Sequence, residues 1–460
     1  MRRGAVLLVL ALSSGLAACA GPRPGPPPAA SFTPPAIWRT TAGPAAPIAA
    51  DWWQALGDPV LTGLIARALA ANDDLAIAAT RVEEARAGAR LARAQLSPQI
   101  GGNGGTSAGQ ALSPFGTASD AVGAQPGVTI SYDLDLFGRL RQAGRAAAAQ
   151  ALASEGARDT VRLAVVTGVA TGYVTLRGLD ARLAIARSTL AARAEALRIA
   201  RRRFEVGYSS RLELRQAEAD YRATEVLIPQ AELAIRRQED SLSLLLGDNP
   251  GPIPRGAALD RLTVPPVPGG LPADLLRRRP DLWQAEQTLV AADRSLDSAR
   301  AALLPNVTLT GSAGVVLSTA LANPVGLFSL GGSVLAPLFD AGRVRAQADA
   351  AAARRDAAAF GYRRAALTAF REVEDSLAGV TRAGEQATVL EAQRTALAGA
   401  LVNATERYRA GYSPYLEQLD AQRGLLSADL ALVQARIDRL VAAVTLYQAM
   451  GGGWTGSAAR

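Results

Sequence analysis

The sequence predicts a mainly α-helical chain with a small membrane-spanning β portion. It is built by tandem duplication of one unit: helix, two strands, long helix, shorter helix. Three observations carry this reading. Two proline-free spans of 69 residues run between glycines, Gly138 to Gly207 and Gly342 to Gly411. An internal repeat keeps an almost constant offset. Four short segments alternate apolar and polar residues.

Composition narrows the chemistry. The chain has 460 residues, 49% hydrophobic, with 49 basic residues, 41 acidic ones and a formal charge of +8. Histidine is absent and every basic residue is arginine. No His general base, Ser-His-Asp or Cys-His pair, or Lys Schiff base can form. A phosphate loop ending in Gly-Lys-Ser/Thr is excluded, as is a zinc site needing His or several Cys. The modest charge, without a basic run carrying interleaved aromatics, argues against nucleic acid as a partner.

The N-terminus reads as a signal peptide over residues 1–18. Arg2 and Arg3 form its basic region, and Ala5 to Leu12 an apolar stretch too short to span a bilayer. Leu16-Ala17-Ala18-Cys19 then looks like a lipobox, and Cys19 is the only cysteine of the chain. The expectation is a covalent lipid on Cys19, which becomes the mature N-terminus, and no other cofactor. Ala20 in place of Asp implies sorting to the outer membrane by likeness to such lipoproteins. Several acyl chains make a firm anchor. Residues 19–50 read as a lipidated tether. Its Pro-rich part, 21–36, is expected to be an extended spacer.

Two structural repeats follow, 51–270 and 271–454, with a tail at 455–460. Asp74-Leu75 aligns with Asp281-Leu282 at an offset of 207, and Pro98 with Pro305. Gly138-Arg139 aligns with Gly342-Arg343 at an offset of 204, which holds to Gly247 and Gly451. Helices of fixed length in a shared wall forbid insertions in this way. The first repeat is expected to hold a long helix over 139–206 and a partner over 210–246. In the second, helices run over 281–303, 342–410 and 414–450. The long spans are rich in Ala, Leu, Arg, Glu and Gln, strong helix formers. Each is roughly 100 Å long at 1.5 Å per residue.

Leu176, Leu183, Leu190, Leu197 and Phe204 step by seven, as do Leu419, Leu426, Val433, Leu440 and Tyr447. Leu416, Leu430, Ile437 and Val444 fill the alternate seam. Such spacing wants a neighbouring helix and a left-handed supercoil. Gly207 and Gly411 suit helix C-caps. Pro229, whose counterpart is Val433, must kink or break the first partner helix.

Strands are expected near 98–112, 121–137, 305–319 and 325–338. Val128, Ile130, Tyr132, Leu134 and Leu136 alternate with Thr129, Ser131, Asp133 and Asp135. One apolar and one polar face suit a transmembrane barrel with a wet interior. A soluble half-buried hairpin shows the same alternation. The signal peptide, the lipobox and the unusual helices favour the membrane.

Several stretches together carry a resemblance to a known family. They are Trp52-Trp53-Gln-Ala-Leu-Gly-Asp58-Pro59, Leu271-Pro272-Ala-Asp-Leu-Leu-Arg-Arg-Arg-Pro280-Asp281-Leu282, Ala301-Ala-Leu-Leu-Pro305, Tyr408-Arg-Ala-Gly411, Leu419-Asp420-Ala421-Gln422-Arg423 and Gly451-Gly-Gly-Trp454. In order from about residue 50 to 454, the chain resembles the outer membrane factors: TolC-like proteins, and especially the OprM/NodT-type efflux lipoproteins. The resemblance implies a homotrimer with a 12-stranded outer-membrane β-barrel and a 12-helix periplasmic α-barrel. It also implies docking onto a periplasmic membrane fusion adaptor and an inner-membrane RND-type pump, with a lipid-anchored outer-membrane location. Strand counting agrees with the stoichiometry. Four strands leave open edges and eight give a filled interior, so three chains are the fewest that leave a lumen.

By position, the resemblance implies a periplasmic gate at the turn after the second long helix. Its residues are Leu416 as the apolar constriction, Asp420 as an inward acid, Glu417 as a further acid, Arg423 one turn on and Tyr408 just above the turn. Arg423, at i+3, is the expected partner of Asp420. Gly207, Tyr208, Gly411 and Tyr412 mark the helix-turn tips expected to dock the adaptor. Solvated faces for Glu417 and Arg423, and seam packing for Leu416, are the plain alternatives.

The function expected is export of drugs and toxic small molecules through a tunnel, without catalysis. Two other readings within reach are an exit duct for type I protein secretion and a non-conducting structural lipoprotein. A glycosidase-like enzyme fits poorly, since its paired acids belong on loops around a cleft, and the acids here are spread along helix faces.

Overall fold

A computed structural model describes residues 22–40, 48–112, 118–267, 269–270 and 272–456. The signal peptide and Cys19 lie outside the described residues. The chain forms two units, one of Met1–Phe32, Thr80–Gly156 and Gln284–Arg364, the other of Thr33–Ala79, Ala157–Trp283 and Ala365–Arg460.

The first unit holds most of α2 (Asp73–Ala94) and one antiparallel sheet of β1 (Gln99–Leu112), β2 (Ala118–Asp133), β3 (Asn306–Ser318) and β4 (Val325–Leu335), in that spatial order. Its register sorts the side chains. Ile100 stands opposite Ile130, Ile130 opposite Gly311, and Gly311 opposite Leu330. Directly opposed residues share a face. Val128, Ala313 and Phe328 therefore join them, with Leu309 and Val315 further along. The other face carries Asn103, Thr129, Ser131, Thr310, Ser312 and Ser329, and the Ser312 and Ser329 hydroxyls bond at 2.8 Å. Nothing within the described residues covers the apolar face: Phe328 and Leu330 are 89% and 87% exposed. The outer edges of β1 and β4 carry no partner strand among the described residues.

Two strands end earlier than the alternation suggests. β2 stops at Asp133 instead of reaching 137, because Asp135 turns to φ +46°. Its carboxylate there accepts from the Leu140 N–H at 2.8 Å and the Arg141 N–H at 2.9 Å. This satisfies donors of the first turn of α3 (Arg139–Glu205). Leu134 still donates its N–H to the Val307 carbonyl at 3.0 Å, and the pairing ends there, before Leu136. β4 stops at Leu335 instead of 338, just before Pro337, which cannot donate to a ladder. Asp340 accepts from the Val344 N–H at 2.9 Å in the same way, starting α7 (Arg343–Arg409).

The Pro-rich segment is not a free spacer. Residues 22–25 are bonded to α6 (Pro280–Ala301) and to the first part of α7.

The second unit is organised around α1 (Pro59–Ala71), the lower part of α3, α4 (Arg211–Glu225), α5 (Leu227–Leu245) and α8 (Tyr415–Ala449). Asp58 caps α1 through the Val60 N–H at 2.8 Å, and it also accepts from the Tyr173 hydroxyl at 2.7 Å. Leu56, Leu61, Ile65, Val169, Leu176 and Leu242 form the core with Val433, Ile437, Leu440 and Val444 of α8. The seven-residue seam therefore faces a partner helix, as its period demands. Leu416 and Phe204 depart from it and are 51% and 38% exposed.

The single helix expected over 210–246 is two helices, α4 and α5, parted at Val226. Pro229 has no N–H for the Glu225 carbonyl, so the helical ladder fails there. Among the described residues no helix is long and apolar enough to cross a membrane.

One close approach of α3 to α8 depends on a glycine. A Cβ on Gly178 would stand 2.1 Å from Ile437 Cδ1. Gly178→Leu is expected to cost about 1–3 kcal/mol through overpacking. Pairing it with Ile437→Ala should recover part of the loss in chemical denaturation. Equal stability of Gly178→Leu and wild type would contradict the packing described.

Candidate functional site: the helix-turn tips and the charges behind them

Both long helices end in the same motif. The Gly207 N–H donates to the Phe204 carbonyl at 3.0 Å and the Tyr208 N–H to Arg203 at 2.8 Å, with Gly207 at φ +77°. In the second repeat the Gly411 N–H donates to Tyr408 at 3.1 Å and the Tyr412 N–H to Arg407 at 2.9 Å, with Gly411 at φ +79°. This left-handed cap satisfies carbonyls of the last turn, and glycine adopts it without a Cβ penalty. The next residues protrude: Tyr208 is 86% and Tyr412 81% exposed. Each turn thus presents one exposed aromatic side chain.

Behind the tips lies a small core of Ala200, Ala217, Tyr408, Tyr415 and Leu419, joined by Leu197. The rings of Tyr408 and Tyr415 meet at 5.5 Å. The Tyr408 hydroxyl donates to the Glu213 carboxylate, and the Arg203 guanidinium lies 4.4 Å over its ring. Burial and the Glu213 bond push the Tyr408 phenol up to about 12. It therefore stays a donor throughout the physiological range. The raised value stabilises the fold fully below the ordinary tyrosine range, near 10, and is lost as pH climbs towards 12.

Asp220 sits at the centre, with its side chain only 3% exposed. Its carboxylate lies 3.0 Å from Arg193 Nη1 on α3 and 3.0 Å from Arg423 Nε on α8. Arg193 is itself buried, and it also donates to the Asp220 carbonyl at 2.8 Å and to the Thr224 hydroxyl. Burial pulls the Arg193 pKa below its ordinary value, while the Asp220 charge opposes that shift. One acid thus ties α3, α4 and α8 together. The Tyr408–Glu213 bond adds α7.

The residues named from the sequence fall into two groups. Tyr408 and Arg423 join this cluster. Leu416, Glu417 and Asp420 lie on the exposed side of α8, because successive helical residues turn by about 100°. Leu419 faces inward at 1% exposure while Asp420 beside it faces out. Arg423 does not pair with Asp420 as the i+3 spacing suggested. The buried Asp220 carboxylate offers it a less screened partner. The nearest cation to Glu417 is Arg407, at 3.9 Å.

Sequence reasoning missed Arg193, Asp220 and Glu213. A signal for the first two was present. At the offset of 204, Arg193 matches Leu397 and Asp220 matches Gly424. Leu397 lies 3.2 Å from the Cβ position of Gly424. An apolar contact in one repeat is a buried ion pair in the other.

Three comparisons bear on the chain. The family profile described as "Outer membrane efflux protein" matches residues 64–248 and 271–452. The solvent efflux pump outer membrane protein SrpC of Pseudomonas putida is 36% identical over 409 residues, covering 86% of each chain. The pyoverdine export outer membrane protein OpmQ of Pseudomonas aeruginosa is 35% identical, covering 88% of this chain and 87% of its own. Among solved structures, the open state of the MtrE outer membrane channel of Neisseria gonorrhoeae superposes with a TM-score of 0.83. It is 29% identical and covers 94% of this chain and 98% of its own.

Proposed function

This chain belongs to the outer membrane efflux protein family, and from that premise we propose that it is the outer-membrane channel of a tripartite efflux system. It passes small molecules from an inner-membrane pump and its periplasmic adaptor to the exterior. The relatives are named for solvents and for pyoverdine, so the cargo class is small organic molecules.

The observation that carries this reading is the sheet, with one apolar face, one hydroxyl-rich face and two open edges. In lipid, an open edge leaves N–H and C=O groups unsatisfied at several kcal/mol each. Pairing β4 of one copy with β1 of the next removes both edges. Three copies close twelve strands around a polar lumen.

In the trimer, Tyr208 and Tyr412 on the two glycine turns form the adaptor-docking surface. Asp420 and Leu416, on the exposed side of α8, form a threefold ring at the tunnel mouth. The Asp220–Arg423 and Tyr408–Glu213 links hold the tips closed until the adaptor engages. The pump is of RND type, by the same family likeness.

The test is reconstitution. The purified protein should run as three chains after correction for detergent and conduct ions in planar bilayers. A monodisperse monomer that conducts nothing overturns the proposal and leaves a structural lipoprotein.

Cys19 carries the lipid and becomes the mature N-terminus. Cells fed radioactive palmitate should label the wild type and leave Cys19→Ser unlabelled, with the barrel still inserted. Equal labelling of the two excludes Cys19 as the attachment point.

A further inference from the structure

The two repeats carry one helix groove with opposite polarity. At the offset of 204, the Arg187–Glu232 pair of the first repeat matches Glu391–Arg436 of the second. Both pairs form, at 2.8 Å and 2.6 Å, with their signs exchanged. Each crosses from a long helix to its shorter partner, α3 to α5 and α7 to α8. In the first repeat, linker residues 251–257 lie across the two helices. Arg255 reaches Asp180 of α3 at 3.1 Å and also pairs with Glu239 of α5. Arg177 donates to the Ala257 carbonyl at 2.8 Å, and the Ile253 N–H donates to Glu239 at 3.3 Å. Ile235 of α5 and Ile253 of the linker are buried in the same core.

In the second repeat the positions matching Asp180, Glu239 and Ile235 hold Gly384, Ala443 and Arg439. Both acids have gone, and a cation stands where a buried isoleucine was. Arg439 is exposed, and its Nε lies 3.4 Å from the Cβ position of Gly384, so the guanidinium rests against α7. It pairs with no acid among the described residues. Between α7, α8 and linker residues 259–264 lies a cavity of about 860 Å³, within the range of small-molecule sites. Leu259, Leu262, Leu432 and Leu440 line it on the apolar side, Arg436 and Arg439 on the basic side. Glu391 also lines it but is already neutralised by Arg436. Asp260, on the linker wall, is exposed and screened by water.

We propose that this cavity is a binding site for an amphipathic organic anion. Its carboxylate or sulfonate sits on Arg439, and its apolar body lies on Leu259, Leu262, Leu432 and Leu440. The first repeat argues for the sign. There the helices supply the acids and the linker supplies the cation, Arg255. In the second repeat the helices supply the cation, so the guest must supply the acid. A guanidinium offers a carboxylate two parallel donors, and such charged bonds are the strong ones. The leucines add the burial that a small ion would lack. A guest held in this way bridges α7, α8 and the linker, as Arg255 bridges α3, α5 and the linker. It should therefore raise the thermal stability of the protein by mass action.

The test titrates the full-length protein in nanodiscs with naphthoate by isothermal calorimetry, with empty nanodiscs as the blank. Naphthoate should bind, and the cation naphthylmethylammonium should not. Arg439→Gln should weaken naphthoate binding about tenfold, the scale of a lost charged hydrogen bond. Gly384→Asp sets beside Arg439 the acid that the first repeat has at Asp180, and should weaken binding as much. Asp260→Asn removes a like charge from the opposite wall and should strengthen binding about twofold. Arg439 and Asp260 are exposed, so both variants should fold, and equal denaturation midpoints without naphthoate check this. No binding by the wild type overturns the site, as does equal binding by Arg439→Gln. Preferential binding of the cation gives the cavity to Asp260 and overturns the proposal too. Each of these outcomes leaves the channel reading standing, because chain number and conductance are measured separately.

Discussion

Asp220→Ala is expected to raise the resting conductance of the reconstituted channel and to destabilise the tip by about 3–5 kcal/mol, the usual cost of stranding a buried charge. Two cations lose their partner at once, and Arg193, with its side chain 4% exposed, cannot turn to water. The second repeat supplies a way to separate stability from gating. Arg193→Leu with Asp220→Gly gives the first repeat the pair that the second already has, Leu397 and Gly424. Replacing a buried ion pair by apolar contact is often neutral or favourable. The added helix glycine costs about 1 kcal/mol. The double variant should therefore recover most of the thermal stability. It should still leak, because Arg423 has lost the Asp220 carboxylate that it meets across the α4–α8 contact. Wild-type conductance in both variants excludes Asp220 as the latch. Leakage that disappears as stability returns makes it a packing residue alone.

Leu330→Arg should abolish accumulation of the assembled protein in the outer membrane. An arginine on the lipid face costs about 2–4 kcal/mol per chain near the bilayer midplane, and three copies share one barrel. Ser329→Arg, one residue away on the opposite face, should assemble and shift ion selectivity towards anions, since a ring of arginines favours them. The contrast follows from the register, in which Leu330 lies with Gly311 and Ile130 while Ser329 bonds Ser312. Quantitative fractionation with bilayer recording decides it. Equal accumulation of the two variants would falsify the assignment of faces.

Periodicity and punctuation determined the elements of this protein. A two-residue period marked the strands and their two faces, since alternation depends only on neighbouring residues. The Gly207 and Gly411 turns were legible because a left-handed cap has a residue preference of its own. Pro229 announced the break between α4 and α5 for an equally local reason.

The tertiary structure decided which charges meet. Asp220 and Arg423 are 203 positions apart, and Arg23 and Asp293 are 270 apart. Nothing near Arg423 distinguishes Asp220 from the nearer Asp420, and the 3.6-residue turn favoured the wrong one. Folding buries Asp220 against α3 and leaves Asp420 outside. Burial strengthens a charge contact that exposure would screen. A Pro-rich tether likewise reads as a spacer until a buried Arg355 is seen holding its carbonyls. Local rules act through covalent neighbours and leave a periodic trace in the chain. Which charges meet across hundreds of positions leaves no such trace, and only the packed helices determine it.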